Sequence, residues 1–95
     1  MAIVFPTIHL NGTSIDRLIE DIETAIRALG AAIEAVCDAG PNARDYYPQG
    51  PTAWPAADDA HRARITKLRE IREELHAIHM NICDQDNEHK ARKSR

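Results

Sequence analysis

The sequence predicts an all-α protein: an antiparallel two-helix hairpin with an extended N-terminal arm, assembled into an oligomeric helical bundle. Three observations predict it. Ile15, Ile19, Ile22, Ile26, Leu29, Ile33 and Val36 are spaced alternately four and three residues apart, which keeps all seven on one helical stripe. A second stripe, Ile65, Leu68, Ile71, Leu75, Ile78 and Ile82, follows later in the chain. Between them lies a connector of about a dozen residues rich in Gly, Pro and Tyr, short enough to make the helices antiparallel neighbours.

Residues 1–13 read as the arm. They are apolar and β-branched, and Pro6 pushes Phe5 toward extended geometry. Asn11-Gly12 is a turn signal, and Thr13, three residues before Asp16, has capping-box spacing. The hairpin occupies residues 14–83, with its first helix over 14–38. Gly40, as a left-handed cap, and Pro41, which cannot continue a helix, are expected to end it. The connector is 39–52. The second helix spans 53–83, tolerating Pro55 in its first turn, where no intrahelical N–H bond is lost. Residues 84–95 lack apolar periodicity and read as a polar, flexible tail.

A 95-residue chain buries a smaller share of its surface than a larger domain does. Two cysteines make no disulfide framework, and antiparallel helices would hold Cys37 and Cys83 roughly 30 Å apart. Both read as buried or half-buried thiols. Partner copies are then the remaining source of stability. Thr24, Ala28, Ala31, Ala32 and Ala35 form a small-residue face on the first helix, away from the isoleucines. Such a face either reflects alanine's helix propensity or admits a second backbone. Arg62, Arg64, Lys67, Arg69, Glu70, Glu73 and Glu74 give the second helix a solvated face instead.

A formal charge of -3 excludes a general nucleic-acid binder, which needs a basic face. No apolar run approaches the roughly 20 residues of a membrane span. The first ten residues show no basic region or cleavage site of a signal peptide, so a cytoplasmic location is expected.

The connector carries the densest chemistry. Arg44, Asp45, Tyr46, Tyr47 and Gln49 lie between glycines and prolines, with Trp54 just beyond. Aromatic faces stack on planar groups, and arginine forks onto phosphate or carboxylate. The alternative is that the aromatics plug the end of a bundle and Arg44 pairs with Asp45. His61, Arg72 and His79 flank the second stripe as boundary residues with a wet edge. Glu73-x-x-His76 matches half of a di-iron motif but points away from the stripe, so no metal site is expected. No cofactor is expected either. The pairs Glu20/Glu23 and Glu70/Glu73 have the spacing of magnesium-binding carboxylates, and they also read as outward-facing. No glycine-rich phosphate loop and no recognisable nucleophile–base spacing occurs, so no catalytic residues are assigned.

The strings His9-Leu10-Asn11-Gly12-Thr13-Ser14 and Arg44-Asp45-Tyr46-Tyr47-Pro48-Gln49-Gly50 resemble those of small helical-hairpin proteins of phages, prophages and their bacterial hosts. The resemblance covers the arm, both helices and the connector. It implies a phage-linked accessory protein acting in the host cytoplasm, with functional interest at the arm and connector and no catalytic residues to carry over. In architecture alone the chain is similar to phage anti-defence hairpins that sequester nucleotide immune signals.

The leading expectation is therefore a non-enzymatic homo-oligomer that holds a small nucleotide-like ligand. Its ligand-binding residues are Arg44, Asp45, Tyr46, Tyr47, Gln49, Asn11 and Thr13. The competing expectation is a structural or adaptor hairpin docking on a virion component or host protein. A third is an all-α nucleotide pyrophosphohydrolase-like enzyme.

Overall fold

The computed structural model describes residues 2–93; Met1, Ser94 and Arg95, at the ends of the expected arm and tail, lie outside the described residues. Two α-helices, α1 (Ile15–Asp38) and α2 (Ala53–Lys93), are joined by two 3-10 turns, Ala43–Asp45 and Tyr47–Gln49. No strand occurs among the described residues. Glu23 meets His79, Gly30 lies by Arg72 and Gly40 by His61, so numbers rise along α1 as they fall along α2. That is an antiparallel hairpin.

The start of α1 is capped by Ser14 rather than by Thr13. The Ser14 Oγ accepts from the Arg17 N–H at 3.3 Å, satisfying one N-terminal donor that the helix itself leaves open. Arg17 and Asp21 then form an i,i+4 pair at 3.0 Å on the exposed face. At the other end Ala39 closes α1 with φ -86°, and its N–H reaches the Ala35 and Val36 carbonyls. Gly40 therefore does not take the left-handed cap expected of it. A Cβ there would sit 3.3 Å from the Cys37 carbonyl and 3.6 Å from the His61 ring, so glycine serves close approach instead. The positive φ falls at Gly50, at 112°, where the connector turns into α2.

The second helix runs ten residues past its expected end at Cys83. No Gly or Pro follows Pro55 to stop it, and Asp86 pairs with Lys90 at 3.1 Å, one turn apart. Apolar periodicity is lost there, but polar helix-forming residues continue the helix without it. At 1.5 Å per residue α2 is about 62 Å long and α1 about 36 Å, so α2 overhangs its partner at both ends. The molecule measures 70 × 23 × 21 Å.

Two helices share one seam, and little of it is sealed. Ile33 (5% exposed) and Ile82 (1%) are the fully buried hydrophobic residues among those described. The remaining stripe residues are half-buried, and Ile71 is 47% exposed. The radius of gyration is 20.0 Å, against about 12 Å for a compact chain of this length. Cys37 is exposed, contrary to expectation, and Cys83 is half-buried; both thiols are free.

Candidate functional site

The seven residues expected to bind a ligand separate into two groups at opposite ends of the hairpin. Arg44, Asp45, Tyr46, Tyr47 and Gln49 stand on the two 3-10 turns beyond the end of α1. Asn11 and Thr13 lie before its first residue. The whole length of α1 lies between the groups, so within one chain they do not meet.

The connector is ordered by its own polar groups. The Asn42 side chain accepts from the Arg44 N–H at 3.1 Å and caps the first turn. The Asp45 and Tyr46 N–H groups reach back to residues 42 and 43, and those of Gln49 and Gly50 to residues 46 and 47. The Trp54 indole N–H donates to the Pro41 carbonyl at 3.3 Å and ties α2 to the start of the connector. Exposure differs from one connector side chain to the next. Tyr46 is half-buried, whereas Tyr47 is 74% exposed, and Arg44, Asp45 and Gln49 are exposed. Neither Arg44 nor Asp45 forms a salt bridge with another described residue. The connector thus holds an arginine, a carboxylate, an amide and a phenol in water on a braced backbone.

At the opposite end the segment before α1 is clamped to α2 by Gln85. Its Oε1 accepts from the Ile8 N–H at 3.0 Å, and its Nε2 donates to the Pro6 carbonyl at 2.7 Å. The same Nε2 reaches the Asn81 Oδ1 at 2.7 Å. A side-chain amide reproduces what a neighbouring strand would offer, one donor and one acceptor. Leu10 beyond the clamp is 98% exposed, so the apolar segment is only partly covered. Between this segment, the start of α1 and the tip of α2 lies an open groove of about 730 Å³. Thr13 and Ser14 line it with His9, Asp86, His89 and Arg92. Asn11 sits on the exposed turn beside it.

A third cluster lies along the helices, and the sequence pattern points away from it. Glu23 is half-buried rather than outward-facing, and its Oε1 lies 3.1 Å from the His79 Nε2. The Cys83 Sγ is 3.8 Å from that same nitrogen. A nucleophile–base–orienter relay needs the carboxylate and the thiol on different ring nitrogens, so this arrangement is a polar seam and not a triad. The signal for it was the four-residue step from His79 to Cys83, which places two side chains on one helical face. Glu23 is thereby engaged by a histidine. Among the described residues no group of three or more His, Cys, Asp or Glu side chains gathers as a metal site. His61 Nε2 is buried without a hydrogen-bond partner. No described helix is long and apolar enough to cross a membrane.

No family model matches the chain, and no curated protein or solved structure matches it.

Proposed function

We propose that the chain is a non-enzymatic, homo-oligomeric binding protein that docks on another macromolecule through its connector. One observation carries this reading: Arg44, Asp45, Tyr47 and Gln49 all project into water from turns whose backbone is already hydrogen-bonded. Small-molecule sites are concave and bury most of their ligand. Protein interfaces instead draw their energy from Tyr, Trp and Arg side chains that are exposed before binding. Ordering by Asn42 and Trp54 lowers the entropic cost of docking. Val4, Phe5 and Leu10 on the N-terminal arm offer a second apolar contact at the far end. The likeness of the two strings to phage proteins supports a phage-linked role in a bacterial host, with a virion component or host protein as the partner.

The ligand-sequestering alternative is favoured by the groove beside Thr13, which is large enough for a nucleotide. It requires the connector of a neighbouring chain to approach that groove.

A photo-crosslinking residue placed at Tyr47, with one at Glu70 as control, separates the two in host extract. The docking reading expects a defined protein adduct from position 47, lost on Arg44→Ala and absent from position 70. Saturable calorimetric binding of a cyclic dinucleotide or ADP-ribose, abolished by Arg44→Ala and unaccompanied by an adduct, would establish the alternative instead.

A further inference from the structure

The two flanks of the hairpin differ. Arg27, Glu34, Arg69 and Arg72 line one shallow groove together, so the α1 and α2 flanks that carry them face the same way. At 100° per residue, Leu18, Ala25, Leu29 and Val36 lie about 40–80° from the buried Ile33, on the side of α1 away from Arg27 and Glu34. Ile71 and Ile78 lie about 20 and 40° from the buried Ile82, on the side of α2 away from Arg69 and Arg72. Because the helices are antiparallel and both right-handed, these six residues share the second flank. They are half-buried, except for Ile71, which is exposed. From Ala25 to Val36 the α1 flank carries no charge, and Ala32 on its border leaves room for another backbone.

We infer that this flank is the interface with a second copy of the chain, closing two hairpins into a four-helix bundle. Three quantities point to a copy as the occupant. The chain exposes 7358 Å², whereas a compact monomer of 10.6 kDa exposes about 5500 Å². The excess, roughly 1900 Å², is more than twice the approximately 800 Å² that each partner of a stable complex buries. The flank is also balanced about its own centre. Leu18 and Val36 are equidistant from residue 27, and Ile71 and Ile78 lie level with about residues 31 and 24 of α1. A two-fold interface needs such a patch, since each apolar residue must meet its own image or another member of the set. Finally, only two hydrophobic side chains among the described residues are sealed within one hairpin, and a second seam supplies the missing core.

This inference deepens the homo-oligomeric part of the reading above and is independent of the connector. Tyr47→Ala is expected to leave assembly unchanged, so failure of one proposal does not mimic failure of the other. Ala31 and Ala32 provide the test. Both are exposed on α1, but Ala31 lines the polar groove and Ala32 borders the apolar flank. Sedimentation equilibrium of the full chain at tens of micromolar should give about twice the 10.6 kDa chain mass. Ala32→Arg is expected to raise the dimer dissociation constant at least tenfold, and Ala31→Arg to change it by less than twofold. A wild-type monomer, or the reverse ranking of the two variants, overturns the proposal. Ala32→Arg can leave a hairpin too weak to fold alone, so wild-type melting is followed over a hundredfold range of concentration. A midpoint that climbs with concentration is expected. A constant midpoint means that single chains unfold independently, and it overturns the interface.

Discussion

The two ends of the hairpin solve the same problem differently. Each must complete a helix overhang with non-helical chain. At the connector end, backbone bonds within two 3-10 turns do the work, and the side chains are left outward. At the open end the backbone has no local partners over residues 6–8 and borrows them from one side chain, Gln85. The difference teaches where function can be placed. A self-sufficient connector can spend its arginine and tyrosine on a partner, whereas the open end depends on a residue whose loss frees the segment.

The largest effect is expected beneath the open end. Ile82 is 1% exposed, and Ile82→Ala removes the best-buried side chain, costing about 2–4 kcal/mol in chemical denaturation. An effect below about 1 kcal/mol would mean that the seam is looser than its burial implies. Gln85→Ala comes next. Removing both polar contacts should cost about 1–2 kcal/mol, and the Ile8 amide should exchange with solvent at least tenfold faster while helicity is kept. Unchanged exchange would erase the contrast between the two ends. Gly50→Ala tests the connector's own geometry. A Cβ there meets nothing within 4 Å, so only the backbone at φ 112° resists, and about 1 kcal/mol is expected. Tyr47→Ala should be the smallest, within about 0.5 kcal/mol by thermal melting, because the side chain lies in water. A larger loss would show that Tyr47 is part of the end cap.

The helices were legible in the sequence because their signals are local. The isoleucine spacing, Pro41 and the tolerance of Pro55 at a first turn set α1 and the start of α2 within a residue. The far end of α2 was not legible, since nothing there demands helix; only the absence of a breaker permits it. Gly40 misled because two roles of glycine, positive φ and close approach, look alike until the neighbour, His61, is known. Glu23 was misjudged for a related reason. A stripe defines a helix face to within about 50°, and the rotation of each helix against its partner decides which border residues turn inward. Glu23 turned toward His79. The candidate site was legible as residue types, and the expected hairpin already starts the arm, with Asn11 and Thr13, at the opposite end from the connector. What the sequence left open is whether the arm runs back, and Gln85 holds it at the far end of α2.

That separation is the central claim, and a distance measures it. Asn11→Cys and Gln49→Cys are spin-labelled in a Cys37→Ser/Cys83→Ser chain and diluted into an excess of unlabelled cysteine-free protein, so that only the distance within one chain is read. A single population beyond about 40 Å is predicted from the length of α1 and its overhangs. A population below about 25 Å would bring the two groups together in one chain and contradict the account.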